Sequence, residues 1–280
     1  MRPLLRLLAP CLGLLTLAFT PILRAAPAED DRPVVNDSGI APEKPAAGTL
    51  PTLWLAGDST LNSNAPLRGW AQDLGQFFDA KKINVVNRAI GGRSSRTYFT
   101  EGRWQKIVDE IKPGDWVVIQ FGHNDGGRPD ISSKFRGTAK GTGDETEDVT
   151  KPDGTVETVH TYAWYLKTFV RTARAKGANV ILCSPIPHKK FDASGKFIHD
   201  WAARREEIQT CAKAEGASFI DLSELIGRAY DKLPQAEVEA FFGDKGTHTN
   251  ASGSLFNARA LLSGLHQLPG DPLAAYLAAK

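Results

Sequence analysis

Five short apolar, β-branched runs, over residues 52–56, 83–88, 116–121, 179–184 and 218–222, recur along the chain with helix-period segments between them. This alternation constrains the fold more than any other feature. Val117-Val118-Ile119 and Val180-Ile181-Leu182 are apolar at consecutive positions, so both of their faces must be buried, as in a parallel sheet covered on both sides. Helical patterns over 69–80, 102–111, 162–176 and 201–215 fill the gaps. Two more, over 233–242 and 251–268, follow the last strand. Lys112-Pro113-Gly114-Asp115 and Lys176-Gly177 supply the proline and glycine stops expected at helix ends. Strands that alternate with helices close by right-handed crossovers, which predicts a three-layer α/β/α domain around a mainly five-stranded parallel sheet.

That domain is expected to span residues 51–280. Ahead of it, Arg2 and Arg6 open a positive start, residues 7–20 are apolar and uncharged, and Ala26-Pro27-Ala28 is a small-x-small cleavage site. Residues 1–28 therefore read as a secretory signal peptide, with an apolar run too short for a membrane span. The expectation is a secreted or periplasmic protein without stable membrane association. Residues 29–50, rich in Pro, Ala and acidic side chains, read as a flexible linker. The leader holds three arginines and no acid, so a formal net charge of +2 falls to −1 on its removal, and no nucleic-acid partner follows. Cys11 leaves with the leader. Cys183 and Cys211 remain, either bridged or as two buried thiols. No Cys/His spacing suggests a metal site, and no phosphate-binding or dinucleotide fingerprint is present, so no cofactor is expected.

The chemistry collects at the carboxyl ends of the strands, which a parallel sheet presents along one edge. Gly57-Asp58-Ser59 follows the first strand, Gly91-Gly92-Arg93 the second, and Gly122-His123-Asn124-Asp125 the third. A late polar loop, Gly243 to Asn250, carries His248. Each stretch alone reads as an ordinary turn. Together they supply what acyl transfer needs: a hydroxyl on Ser59, a base in His248, and donors from the Ser59 and Gly92 backbones and the Asn124 amide for a developing oxyanion. Asp58 reads as a residue that shapes the corner. A polar, glycine-rich insertion over 126–158 follows the third strand, and so long a loop in a compact domain is usually functional or disordered.

These blocks resemble those of the SGNH (GDSL-type) hydrolases. Gly91-Gly92-Arg93-Ser94-Ser95-Arg96-Thr97-Tyr98, Thr161-Tyr162-Ala163-Trp164-Tyr165-Leu166, and the insertion from Arg136-Gly137-Thr138 through Gly143-Asp144-Glu145-Thr146-Glu147 are similar to the bacterial rhamnogalacturonan acetylesterase-like branch. The resemblance implies a flavodoxin-like SGNH fold, Ser59 as nucleophile and His248 as base. It implies an oxyanion hole of Ser59, Gly92 and Asn124, and removal of acetyl groups from pectic rhamnogalacturonan. In that family an aspartate stands three residues before the histidine. Here Lys245 stands there, and Asp244 lies four before with Gly246 as an added residue. Either Gly246 lets the loop bulge so that Asp244 still reaches His248, or a backbone carbonyl orients the ring. A chain that had lost its triad would instead be a non-catalytic polysaccharide-binding module.

Substrate contacts are less defined. Arg93 and Arg96 can meet the carboxylates of an acidic polysaccharide or pair internally, and His123 lies beside a strand end in the same region. Trp104, Trp164 and Tyr98 can serve as sugar platforms or as core. Another SGNH carboxylesterase, acting on acetylated xylan or on short-chain lipids, is the alternative within the same chemistry.

Overall fold

A computed structural model describes residue 48, residues 50–130 and residues 135–279 of the chain. The expected signal peptide and most of the expected linker lie outside the described residues. In chain order the elements are β1 (Thr52–Gly57), α1 (Ala71–Leu74), β2 (Asn84–Asn87), α2 (Ser95–Thr100), α3 (Arg103–Glu110), β3 (Trp116–Gln120), β4 (Thr146–Thr150), β5 (Val156–His160), α4 (Tyr162–Ala175), β6 (Asn179–Cys183), α5 (Ala202–Glu215), β7 (Ser218–Ile220), α6 (Leu222–Tyr230), α7 (Gln235–Glu239) and α8 (Ala251–His266).

Five strands form one parallel sheet in the order β2-β1-β3-β6-β7. The order reverses between β1 and β3. In open α/β sheets that reversal opens a crevice at the strands' carboxyl ends, where ligands bind. It is here that Gly57-Asp58-Ser59 and Gly122-His123-Asn124 emerge.

Successive side chains on a strand point to opposite faces, so each strand feeds two cores. Leu53 and Leu55 of β1 pack with Val118, Ile181 and helix residues Leu74, Ile226, Tyr230 and Leu261. Trp54 and Ala56 pack on the other side with Val117, Ile119, Leu182 and the helix residues Trp104, Ile107, Phe169 and Ile208. Each fully buried leucine or isoleucine here contributes roughly 1.5–3 kcal/mol. The buried Trp54 indole is not left unpaired: its Nε1–H donates to Asp115 Oδ2 at 3.0 Å, and Asp115 Oδ1 accepts from the Thr52 amide at 2.8 Å. Asp115 thus pins the start of β1 beside β3.

The expected five strands are present with ends shifted by a residue or two. Four features differ from expectation. Directly after β7 the chain forms the nine-residue α6, capped by Asp221, whose side chain accepts from the Glu224 amide, where no helix was expected before residue 233. The segment read as one helix over 69–80 contains only the four-residue α1, followed by a short 3-10 turn. The Gly-Gly block read as loop continues directly into α2, because Ser94 caps it: Ser94 Oγ accepts from the Thr97 amide, while the Thr97 hydroxyl accepts from the Ser94 amide at 2.9 Å. Within the 126–158 insertion lie β4 and, continuing to His160, β5. The two pair as an antiparallel hairpin outside the main sheet. The hairpin's mostly exposed polar strands, with only Val149 and Val159 buried, explain why no apolar run announces it.

Candidate active site

β1 ends at Gly57, where a Cβ would lie 2.6 Å from the Gln120 carbonyl oxygen and from a Leu61 methyl. Only glycine lets the chain turn that close to β3. The turn itself is built by Asp58. Its backbone carbonyl accepts from the Leu61 and Asn62 amides, and its Oδ1 accepts from the Thr60 amide (2.8 Å) and hydroxyl (2.7 Å). Asp58 is fully buried. Desolvation pushes its carboxyl up to about 6, against the lowering effect of the Thr60 hydrogen bonds. With its carboxyl committed to the turn, Asp58 presents Ser59.

The late loop approaches from α8's side. Gly243 N–H donates to the His248 carbonyl at 2.9 Å, closing the loop at its base. Arg68 N–H donates to the Thr249 carbonyl, and the Thr249 hydroxyl donates to the Arg68 carbonyl, both at 2.8 Å. Asn250 then caps α8. The loop is therefore bolted to the segment that follows the Ser59 turn, and His248 Nε2 lies 2.8 Å from Ser59 Oγ.

Asp244 Oδ2 lies 2.5 Å from His248 Nδ1. Its other oxygen accepts from the Gly246, Thr247 and His248 amides at 2.9, 2.8 and 3.0 Å. Desolvation opposes ionisation, but the His248 contact and these three amides outweigh it and hold the carboxyl well below the usual carboxylate range. An ionised Asp244 must accept, so His248 carries its proton on Nδ1 and leaves Nε2 to accept from Ser59 Oγ–H. The extra residue in the loop is taken up by this wrapping. Gly246 does not supply a left-handed kink: its φ is outside that region, and a Cβ there would meet nothing within 4 Å.

Gly92 and Asn124 are brought together from the other two strand ends. Ile90 N–H donates to the Gly57 carbonyl at 3.0 Å, which lays the post-β2 segment beside the Ser59 corner. Gly92 adopts a left-handed φ of 75°. The Asn124 amide Nδ2–H donates to the Arg93 carbonyl at 3.0 Å. Arg136 Nη1 donates to both Asn124 Oδ1 (2.7 Å) and the Gly92 carbonyl (3.1 Å). Nothing local in the sequence points Arg136 to this site, because an arginine in a polar insertion carries no signal of what it will meet.

Arg96 is not a substrate contact. Its side chain is fully buried, pairs with Glu157 at 2.7 Å, and donates to the Pro129 and Gly137 carbonyls. Arg93 pairs with Glu101 at 2.7 Å. His123 packs edge-on against His188 and Trp201, with centroids 5.0 Å away in each case. Burial, then the nearby His188 and His248, push its pKa down to about 3, so it stays neutral at working pH. Tyr98 and Trp104 are core residues, whereas Trp164 is half-buried and stacked on His160 at 3.6 Å. Cys183 and Cys211 are free and buried. Among the described residues, no group of three or more His, Cys, Asp or Glu side chains is placed to hold a metal ion.

Residues 53–254 match the GDSL-like lipase/acylhydrolase family. The chain belongs to that family. Among its relatives in the family, the rhamnogalacturonan acetylesterase of Emericella nidulans is 36% identical over 214 residues, 76% of this chain and 84% of that one. The probable rhamnogalacturonan acetylesterase YesY of Bacillus subtilis is 32% identical over 229 residues, 79% and 94% of the two chains. Of solved structures, the Bacillus subtilis protein YxiM superposes with a TM-score of 0.63 at 24% identity, over 79% of this chain and 58% of that one. Axe2, an acetylxylan esterase from Geobacillus stearothermophilus, does so with 0.51 at 20% identity, over 78% and 95%. Both superpositions show a shared fold, which in this chain is a five-stranded parallel sheet between helices.

Proposed function

We propose that this member of the GDSL family removes acetyl groups from pectic rhamnogalacturonan, as an exported enzyme working through a serine acyl-enzyme. The chain is a carboxylic ester hydrolase of the SGNH carbohydrate-esterase kind. The acyl-enzyme mechanism rests on one observation: Ser59 Oγ, His248 and Asp244 stand in a continuous hydrogen-bonded row, at 2.8 and 2.5 Å.

In this reading His248 Nε2 takes the proton of Ser59 as Oγ attacks the acetyl carbonyl carbon. The imidazolium that results is stabilised by ionised Asp244 on its far side. The negative oxygen of the tetrahedral intermediate is met by the Ser59 and Gly92 amides and the Asn124 side chain. Collapse breaks the bond between the acetyl carbon and the sugar oxygen, which takes the proton from Nε2 and leaves as a hydroxyl, with acetyl-Ser59 behind. Water then attacks with His248 again as base. The bond from the acetyl carbon to Ser59 Oγ breaks, and Nε2 returns the proton to Oγ as acetic acid departs and ionises to acetate. The two relatives named for rhamnogalacturonan support that polymer as the substrate. The positive, then apolar start of the chain supports export.

The test compares acetate release from acetylated rhamnogalacturonan, acetylated xylan and a p-nitrophenyl ester of eight carbons. Preference for the pectic polymer is expected, and preference for the long-chain ester sinks the polysaccharide reading. Ser59→Ala should lower turnover by ~10³ or more while the protein still folds.

A further inference from the structure

We propose that Arg136 is a positioning residue for the oxyanion donors, holding Asn124 and Gly92 from behind. This rests on the proposed acyl transfer at Ser59. The geometry is specific. One guanidinium nitrogen, Nη1, donates to the Asn124 side-chain oxygen at 2.7 Å and to the Gly92 carbonyl at 3.1 Å. These two contacts join the segments after β2 and β3, which reach the site from different strands.

The consequence for Asn124 follows from its inventory of donors and acceptors. A side-chain amide has one oxygen and two N–H bonds, and it functions only if the right end faces the substrate. A cationic donor on Oδ1 excludes the flipped amide, which would set NH2 against the guanidinium. The Arg93 carbonyl accepts one N–H, at 3.0 Å. The second N–H is the one left for an incoming oxyanion. A charge on the acceptor end also polarises the amide, which makes that N–H a stronger donor. At Gly92 the same guanidinium fixes the peptide that follows a residue whose left-handed φ of 75° is otherwise poorly restrained in a glycine.

Arg136 is itself held from below. The fully buried Arg96 donates to the carbonyls of Pro129 and Gly137 at 2.9 and 2.8 Å and pairs with Glu157 of β5. The Thr138 amide donates to the Asp125 carbonyl at 3.3 Å, and the Ala139 amide to the His160 carbonyl at 2.9 Å. A Cβ on Gly137 would lie 2.8 Å from the carbonyl oxygens of Gly127 and Arg128, so the backbone there runs too close for any larger residue. The part of the insertion that delivers Arg136 is thus tied to α2, to the hairpin and to the stretch after Asn124. Arg96 acts as the anchor of this platform.

The experiment measures hydrolysis of p-nitrophenyl acetate, which lacks any sugar, by Arg136→Ala, Arg136→Lys, Asn124→Ala and the Arg136→Ala/Asn124→Ala double variant, with thermal unfolding of each. Loss of an oriented donor is expected to lower kcat by ~10–100-fold with KM changed less than about threefold. Arg136→Lys should recover part of the loss, and added guanidinium ion should partly rescue Arg136→Ala. The double variant should be no slower than the slower single. Wild-type kcat in Arg136→Ala overturns the proposal. So does a loss seen only as a raised KM in a parallel assay on acetylated rhamnogalacturonan, with p-nitrophenyl acetate turnover unchanged, which makes Arg136 a substrate contact, and so does additive loss in the double variant. If Arg136→Ala does not fold, the Lys variant decides: full activity in it, with no dependence of kcat on donor geometry, also overturns the proposal. Ser59→Ala separates the two levels, because full turnover there removes the acyl-transfer reading itself, whereas an inactive Ser59→Ala beside a fully active Arg136→Ala removes only the role of Arg136.

Discussion

Asp244 and His248 are joined twice, once by the 2.5 Å contact between Oδ2 and Nδ1 and again by the His248 amide donating to Oδ1 at 3.0 Å. One carboxylate therefore both folds the loop and orients the imidazole. These tasks can be separated by mutation. Asp244→Asn retains an oxygen able to accept the backbone amides but cannot stabilise an imidazolium or enforce the Nδ1–H tautomer. Its kcat should fall by ~10²–10⁴ with near-normal stability. Asp244→Ala also strips three amides of their acceptor and should cost about 1–2 kcal/mol more in urea unfolding. Equal stability of the two variants would show that Oδ1 does not hold the loop.

Gly246 stands where the loop is one residue longer than the family pattern, yet its backbone needs no glycine and its surroundings are open. Gly246→Ala should keep wild-type kcat and change stability by ~0–1 kcal/mol, in the stabilising direction. A large loss of activity in this variant would mean that the loop relies on a conformation alanine cannot adopt.

Asp125 is buried, and its Oδ1 accepts from the Ser95 amide at 2.8 Å and the Ser95 hydroxyl at 2.5 Å. Desolvation, outweighing those hydrogen bonds, raises its pKa from 3.8 to about 6. The folded state thus holds a proton that the unfolded chain has already released. The associated stability is complete below about 3.8 and is lost as pH rises through about 6. Asp58 is shifted the same way and adds to the slope. Asp125→Asn can still accept from Ser95 but cannot ionise. Relative to wild type it should gain on the order of 1–3 kcal/mol between pH 4 and pH 7. Urea titrations at several pH values read this directly, and parallel curves for the two proteins would refute it.

Cys183 packs in the core on one face of the sheet and Cys211 in the core on the other. No bridge can pass through the sheet, so reductant should leave the melting temperature unchanged. Burial raises both thiols, Cys211 to about 11, and neither should react with a thiol reagent until the protein is unfolded. Rapid labelling of the native protein would contradict this packing.

Local patterns were enough for the main sheet and for the residues at its edge. Runs such as Val117-Val118-Ile119 are apolar on both faces, which only a doubly covered strand tolerates, and parallel strands necessarily share one carboxyl edge. Ser59, Gly92 and Asn124 were therefore readable as neighbours, and His248 as the one loop histidine with the right chemistry. The β4–β5 hairpin was not readable, since its polar strands pair with each other outside the main sheet and bury little.

What the sequence by itself determined is the parallel α/β scaffold, the edge on which its polar corners meet, and the identity of the hydroxyl and imidazole found there. Those follow from periodicities of two and 3.6 residues and from turn chemistry, which are local. Only the tertiary structure decided that Asp244 reaches His248 in spite of the added residue, that Arg96 is a buried anchor, and that Arg136 touches Asn124 and Gly92. These depend on how loops wrap and on which cation meets which carbonyl or carboxylate across the fold, and no spacing along the chain encodes that.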